Sequence, residues 1–223
     1  MNRHLCLIFI CLLGKFGFSQ ELIYFNAEAR IKTKDYFESQ QSALHLSVND
    51  EMKPSYESID AKQVKHLKFQ QIRNGLPIIG AYYFLHTKDD EVIKSHGIVY
   101  PDQNVATEAS VSVNEAIDIA EQHIFNEFLQ KKEANLCKDF DQVEWCKCYL
   151  DVDYPKITNH LALAYEIILE CNSRAIPIKR KLYIDAMTSR VIFSTNLIKN
   201  HGVLGRGQSN YYGEVSFIHD SLA

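Results

Sequence analysis

The stretch from Phe69 to Gly80, FQQIRNGLPIIG, constrains the fold more strongly than any other part of the sequence. Asn74 and Gly75 both accept a positive φ at low energetic cost, and an Asn-Gly pair between two strand-like runs is typical of a β-hairpin turn. Gly80 lies inside the second run, where a glycine indicates a β-bulge or a close backbone approach. The stretch therefore predicts a hairpin whose second strand is irregular.

The hairpin is predicted to be part of a three-strand meander. A second turn is expected at Asp89 and Asp90. His66 and Gln70 are expected on the exposed face of the first strand. The preceding residues, 20–62, are polar and mixed, and we expect a short helix in DYFESQQSALHL and a loop around KPSYESID. The three predicted strands are VKHLKFQQIRN, LPIIGAYYFLHTK and EVIKSHGIVYP.

One helix is predicted after the meander. Ser112 with Glu115 three residues later fits a capping box, which marks the start of a helix. The apolar residues that follow recur at steps of three and four, which is typical of a helix with one buried stripe. We expect this helix to end near KKEAN. The stripe consists of Val113, Ala116, Ile117, Ala120, Ile124 and Phe128.

Four more strands are predicted beyond the helix, and together the elements indicate an α+β fold. The expected architecture is an antiparallel β meander followed by a helix packed on an antiparallel sheet. Residues after Ile198 are rich in glycine and polar side chains, so we expect a flexible C-terminal tail. The strands are QVEWCKCYL, HLALAYEIILE, KRKLYIDA and RVIFSTNLI.

The N-terminus has the pattern of a secretory signal peptide. MNRH is a short basic region, and the apolar run LCLIFICLLG is too short to span a bilayer comfortably. Gly17 and Ser19 occupy the −3 and −1 positions of a cleavage site. We therefore expect a secreted or extracytoplasmic protein without a membrane association after signal removal. A buried N-terminal strand or helix is the alternative.

Four cysteines remain after signal removal, and an oxidising compartment favours disulfides among them. Cys146 and Cys148 lie two residues apart, so on a strand they share a face and are poor partners for each other. The expected hairpin register brings Cys171 near residue 140, which favours a bond between Cys137 and Cys171. A metal site at the C-x-C pair is the weaker alternative.

Composition and motifs exclude several functions. The formal net charge is −4 with acidic and basic residues well mixed, so a nucleic-acid partner is not expected. No two histidines lie four apart, so the His-Glu-x-x-His zinc motif is absent, as are a G-x-S-x-G elbow and a P-loop. The acidic pairs Asp139/Asp141 and Asp151/Asp153 do not extend into a calcium loop. We expect no catalysis, metal or cofactor in this chain.

Two segments resemble the pro-region of secreted thermolysin-like metalloendopeptidases. HLKFQQIRNGLPIIGAYYFLHT with IKSHGIVYP is similar to the fungalysin/thermolysin propeptide motif, and residues 110–198 are similar to its PepSY-type second half. That family usually has glycine where this chain has Ser189. The first set of matching residues is Phe69, Gln70, Asn74, Gly75, Pro77, Gly80, Gly97, Tyr100 and Pro101. The second set is Ala164, Tyr165, Glu166, Tyr183, Asp185, Ala186 and Thr188.

The resemblance implies a domain organisation. It consists of a signal peptide over 1–19, an N-terminal pro-segment over 20–62, the propeptide motif over 63–104, a PepSY-type domain over 110–198, and a junction with the truncated start of a mature peptidase over 199–223. GRGQSNYYGEVSF resembles the opening of the mature domain. Zinc and calcium are expected only in the missing peptidase domain.

The resemblance also implies a function. Such pro-regions act as intramolecular chaperones and inhibitors of the cognate peptidase domain until the precursor is cut. We expect the cut between Asn196 and Gly205, in a segment that includes Asn200, His201 and Gly202. The alternatives are a stand-alone secreted protease inhibitor acting in trans, and a non-inhibitory extracytoplasmic binding module.

Overall fold

The protein is described by a computed structural model that covers residues 22–130, 140–171, 177–198, 203–209 and 213–219, the last two ranges as backbone only. The chain is mostly strand with few helices, which agrees with an α+β fold. Among these residues no helix is both long and apolar enough to cross a membrane. The predicted signal peptide, 1–19, lies outside the described residues.

Among the described residues, two α-helices, one short 3-10 helix (Thr33–Asp35) and eleven strands follow one another along the chain. The helices are α1 (Tyr36–Gln40) and α2 (Val113–Gln130). The strands are β1 (Ile23–Tyr24), β2 (Asp50–Ile59), β3 (Lys65–Arg73), β4 (Leu76–Lys88), β5 (Glu91–Gly97), β6 (Gln142–Asp151), β7 (Leu161–Cys171), β8 (Ile178–Asp185), β9 (Val191–Asn196), β10 (Val203–Ser209) and β11 (Gly213–His219).

The first half of the sheet contains two strands more than predicted, β1 and β2. β2 to β5 pair antiparallel in chain order, and β1 covers the outer edge of β5. The loop expected around KPSYESID is wrong, because these residues form most of β2. Most β2 side chains are exposed, so no apolar alternation marks the strand in the sequence. Its edge carries Pro54 and charged residues, which is typical of an edge strand that avoids further pairing.

The second half packs α2 against one face of β6 to β9, which pair antiparallel in order. The helix begins where predicted, and Ser112 Oγ accepts the N–H of Glu115 at 3.2 Å. Ala116, Ala120 and Ile124 of the predicted stripe are fully buried in the main hydrophobic core. The expected end of the helix at KKEAN lies outside the described residues.

A parallel pairing of β4 with β6 joins the two halves into one nine-stranded sheet. The bridge is Ile78 opposite Tyr149, and both side chains are fully buried. The sequence contains no signal for this pairing, because the two strands lie far apart and the bridge involves one residue pair. This pairing, called the seam below, places the hairpin of β3 and β4, called the propeptide-motif hairpin below, directly beside β6.

The C-terminal tail differs from the prediction. β10 and β11 pair antiparallel from Val203 opposite His219 to Ser209 opposite Gly213, as a separate two-stranded sheet. The glycine content of this segment suggested an irregular backbone. A strand needs only paired N–H and C=O groups, however, and two runs of equal length provide them locally.

Candidate functional site

The propeptide-motif hairpin turns at Asn74 and Gly75, whose φ values are 49° and 79°. Both values are positive, as predicted for a tight Asn-Gly turn. The Asn74 side chain donates from Nδ2 to the Tyr149 hydroxyl at 3.3 Å. The turn is thereby tied to β6, and both of its residues are exposed.

The predicted irregularity at Gly80 is a bulge that the Gln70 side chain fills. The register of β3 with β4 shifts between Gln70 and Ile72, and Gly80 has a φ of 84°. Gln70 Nε2 donates to the carbonyls of Ile78 at 2.7 Å and Ala81 at 3.0 Å. Gln70 therefore lies half-buried across the bulge and donates to two carbonyls of the bulged strand.

Phe69 belongs to an aromatic cluster under the meander. Its ring lies 4.8 Å from the Phe37 ring in an edge-to-face arrangement, and Tyr83 and the fully buried Tyr36 complete the contact. Pro77 lies opposite Ile72 at the start of β4, directly after the turn. Both motif residues thus support the hairpin from within.

The end of the motif is held by close backbone packing. A Cβ atom at Gly97 would lie 2.3 Å from the Tyr82 carbonyl oxygen, so only glycine fits there. Tyr100 is fully buried, which raises the pKa of its hydroxyl, and that hydroxyl donates to Asp151 at 3.4 Å. Pro101 accepts a hydrogen bond at its carbonyl from Arg73 Nη1 at 3.2 Å.

A buried ion pair beneath the hairpin connects these parts, and the sequence reasoning missed it. Arg73 donates to both carboxylate oxygens of Asp50, at 2.7 and 2.8 Å, and Arg73 Nη2 also donates to the Tyr100 carbonyl at 3.0 Å. Gln71 Nε2 donates to Asp50 at 3.0 Å and to the same carbonyl at 2.9 Å. Only the register of β2, which places Asp50 opposite Arg73, would have revealed the pair.

The Ala-Tyr-Glu residues of the second half are distributed over both faces of β7. Tyr165 donates its hydroxyl hydrogen to the Val111 carbonyl at 2.9 Å, which fixes the segment before α2. Ala164 is buried on the opposite face. There Glu166 accepts from the Tyr183 hydroxyl at 2.7 Å and pairs with Lys181 at 2.9 Å. Burial raises the pKa of Tyr183, and the hydrogen bond to Glu166 adds to that effect.

The turn after β8 is shaped by Asp185, which accepts the N–H groups of Met187 at 2.8 Å and Thr188 at 2.9 Å. The Ala186 carbonyl accepts the N–H groups of Ser110 and Val111, at 3.0 and 2.9 Å. Ser189 has a φ of 64°, which is the left-handed conformation. These residues organise a turn and its contact with the start of α2.

The described cysteines differ in chemical state. Cys171 is disulfide-bonded, and Cys137, its predicted partner, lies outside the described residues. Cys146 and Cys148 are free thiols, the first exposed and the second buried. Burial raises the pKa of both thiols, so neither is activated as a nucleophile.

The predicted processing region begins at Asn196, the exposed last residue of β9. Asn200, His201 and Gly202 lie outside the described residues. Gly205 lies in β10, opposite Phe217. Its placement in an exposed linker is therefore wrong, because its backbone is paired in a strand.

The predicted residues support one hairpin, one seam and one turn, and they do not converge on a pocket. Within the described ranges, no group of three or more His, Cys, Asp or Glu side chains could hold a metal ion. An open groove of about 400 Å³ lies on the outer face of the meander. Its lining includes Lys53, Tyr56, Lys68 and Tyr82. The Lys68 ammonium lies 3.6 Å from the centroid of the Tyr82 ring.

Comparison with known proteins gives one family match. Residues 50–97 match the Fungalysin/Thermolysin Propeptide Motif. The match begins at β2 and ends at Gly97, so it covers the meander and starts before the boundary predicted at residue 63. It supports a regulatory pro-region of a thermolysin-like protease in preference to a catalytic domain, and its family belongs to secreted proteases.

Two further comparisons are less informative. No curated protein matches the chain. Among solved structures, the Bacillus megaterium YpeB C-terminal domain is similar, with 13% sequence identity and a TM-score of 0.36. The alignment covers 75% of this chain and 66% of that one, so the chain spans just under two thirds of that structure.

Proposed function

We propose that this chain is the pro-region of a secreted thermolysin-like metalloendopeptidase, and that it acts as intramolecular chaperone and inhibitor until it is cleaved near residues 196–205. The observation that carries the proposal is the propeptide-motif match over residues 50–97. The partner is the cognate peptidase domain, which supplies the zinc and calcium. Residues 110–198 are proposed to be the PepSY-type half of the same pro-region.

The physical basis of the chaperone role is the slow folding of large β-rich proteases with many non-local contacts. A prefolded sheet on the same chain offers such a protease a surface on which to fold. Tethering also gives a high effective concentration, so modest affinity is enough to keep the enzyme blocked. Cleavage removes the tether, and inhibition then depends on the intrinsic affinity alone.

The end of the sheet supports the proposed cleavage window. Leu197 N–H donates to the Lys179 carbonyl at 2.7 Å, beside the last pair of β8 and β9. β10 begins at Val203, so a cut in the part of the window between Leu197 and Val203 would leave both described sheets whole. N-terminal sequencing of the matured enzyme tests this. A first residue outside 196–205 would contradict the window.

Whether the chain acts in cis is tested by the nucleotide sequence that follows the codon for Ala223. The proposal expects an open frame that continues through a His-Glu-x-x-His motif. A stop codon there would favour the stand-alone inhibitor acting in trans. Refolding a denatured thermolysin-like peptidase with and without the chain tests the chaperone role separately, by the yield of active enzyme.

A non-inhibitory binding module is the second candidate, because a binding module is expected to expose a charged or aromatic pocket. The groove that contains Lys53, Tyr56 and Lys68 has both properties. The two functions differ in one readout. A chain that forms a complex with a thermolysin-like peptidase and leaves peptide hydrolysis unchanged would favour the binding module.

A further inference from the structure

Three histidines on neighbouring strands form a ladder across the outer face of the meander. His66 on β3 lies opposite His86 on β4, with 2.6 Å between their Nδ1 atoms. His86 Nε2 lies 3.3 Å from Nδ1 of His96 on β5, and these two rings stack with centroids 5.1 Å apart. At the other end, His66 Nε2 lies 3.4 Å from the Asp60 carboxylate.

The charged groups around the ladder are few. Lys94 lies opposite His86 in the register of β4 with β5, and its ammonium lies 5.6 Å from the Tyr24 ring on β1. Ser58 on β2 lies opposite His66. Asp60 is therefore the only carboxylate in contact with the three rings among the described residues.

The neighbours of the rings complete the surroundings. The Phe84 ring stacks on His96 at 5.1 Å, and the Lys68 ammonium lies 3.6 Å from the Tyr82 centroid and 5.9 Å from the Phe84 centroid. One face of the ladder is thus covered by aromatic and strand contacts, and the rings are half-buried.

The number of protons that the ladder can hold follows from its geometry. A hydrogen bond between two ring nitrogens contains one hydrogen, so the His66–His86 and His86–His96 links contain one each. The outer nitrogens, Nε2 of His66 and Nε2 of His96, can each carry another. The ladder therefore holds at most four hydrogens with both links intact, one more than three neutral imidazoles carry. A second added proton makes two N–H groups face each other across one link.

We propose that the His66–His86–His96 ladder is an acid-sensitive latch, which accepts one proton intact and releases β3, β4 and β5 from one another when it takes up a second. Two N–H groups cannot face each other at hydrogen-bond distance, so the second proton breaks one of the two links and removes that side-chain connection between strands. Above the titration range of histidine, the neutral ladder connects three strands of the meander.

The direction of the pH effect follows from linkage. Burial, followed by the nearby His66, His96 and Lys94, lowers the pKa of His86 to about 4. Burial and Lys94 also lower the pKa of His96. In the unfolded chain both groups titrate near the ordinary value of about 6.5. The stability that the ladder contributes is thus present above pH 6.5 and is lost as the pH falls from 6.5 toward 4.

The latch is a property of the meander and does not depend on the proposed function. If the chain is a pro-region, and only then, the latch implies that the chain binds the peptidase more weakly in acid. Stability measurements on the chain alone therefore test the latch. Inhibition measurements at two pH values test the regulatory consequence, and either can fail without the other.

The first experiment is urea unfolding of the full chain between pH 7.5 and 5, with the His86→Gln variant beside it. Glutamine can donate and accept but takes up no proton. Because the unfolded chain binds about two protons more than the ladder, the unfolding constant should rise by up to about 100-fold for each unit by which the pH is lowered. In His86→Gln the rise should be about tenfold or less per unit. His160→Gln, at an exposed position, is the matched control and should keep the steep slope.

The second experiment keeps the latch testable if His86→Gln fails to fold. Nitrogen NMR of the ring nitrogens in the natural chain should show uptake of one proton shared over the three rings while the chain stays folded. The second uptake should coincide with loss of the native signals. Three independent titrations near pH 6.5 in a chain that stays folded, or equal slopes for the natural chain and His86→Gln, would overturn the proposal.

Discussion

The meander half of the sheet and the half that carries α2 bury different kinds of side chain. Under the meander, Tyr36 donates to Ser95 at 2.7 Å, and the Arg73–Asp50 pair lies at 2% and 0% exposure. Against α2, the core is mostly aliphatic, with residues such as Leu163 and Ile167, and its tyrosines are Tyr100, Tyr149 and Tyr165. The first core depends on specific partners and the second on apolar area, so the two halves should respond differently to substitution.

The two kinds of core should lose different amounts of unfolding free energy on substitution. Removal of one partner of a buried ion pair leaves an uncompensated charge and costs about 3–5 kcal/mol, whereas replacement of both partners by apolar residues is often neutral. Truncation of a buried aliphatic side chain costs about 2–5 kcal/mol, through lost burial and a residual cavity. The stability lost by one substitution in a polar core can thus be recovered by a second substitution at the partner residue. In an aliphatic core it cannot.

The largest effect is expected for Arg73→Ala, which leaves the Asp50 carboxylate buried without its counter-charge. We expect the free energy of unfolding to fall by about 3–5 kcal/mol in urea titrations. The double variant Asp50→Leu/Arg73→Met should recover most of this loss. Lys65→Ala removes an exposed partner of Glu57 and should cost less than about 1 kcal/mol. A double variant no more stable than Arg73→Ala would remove the distinction between the halves.

Leu163→Ala tests the aliphatic half. Leu163 is fully buried opposite Tyr149, and its truncation should lower the free energy of unfolding by about 3 kcal/mol. Met187→Ala, at 42% exposure, is the control and should change it by less than about 0.5 kcal/mol. A loss at Leu163 as small as that at Met187 would show that the second core is not held by burial.

Gln70→Leu sharpens the comparison within the meander, because it changes hydrogen bonding at nearly constant volume. The carbonyls of Ile78 and Ala81 lose their donor, so we expect a loss of about 1–3 kcal/mol by urea unfolding. Gln122→Leu removes an exposed amide that donates to Asn126 and should be nearly neutral. Equal stability of Gln70→Leu and the natural chain would mean that water replaces the glutamine at the bulge.

The smallest effect is expected for Ser189→Gly, and its sign is opposite. Ser189 holds a φ of 64°, which is strained for a side chain with a Cβ atom. Because glycine relieves this strain but loses more chain entropy, we expect a net gain of about 0.5–1 kcal/mol in thermal or urea unfolding. Ser189→Ala keeps the Cβ atom and should give no gain. Equal gains for both variants would attribute the effect to the lost hydroxyl.

The sequence predicts local features well where a residue type has few alternatives. The Asn74-Gly75 turn, the bulge at Gly80 and the helix start at Ser112 all follow from backbone preferences of single residues. β7 follows from apolar alternation, because one of its faces is buried along its whole length. Such features depend on neighbours in the chain and are readable without tertiary structure.

The features that the sequence does not predict depend on distant partners. β2 is exposed at most positions and is defined by its pairing with β3. The Arg73–Asp50 pair needs that register, and the seam at Ile78 and Tyr149 is a single bridge between distant strands. The tail hairpin forms through backbone pairing that glycine-rich composition does not reveal.

The most direct test of the account is the effect of the purified chain on peptide hydrolysis by a secreted thermolysin-like metalloendopeptidase. If the chain is such a pro-region, the hydrolysis rate falls as chain is added, and Arg73→Ala inhibits less in proportion to its unfolded fraction. Proteolytic destruction of the chain should restore the rate. An unchanged rate at every concentration, with the chain intact and no complex on gel filtration, would contradict the pro-region assignment.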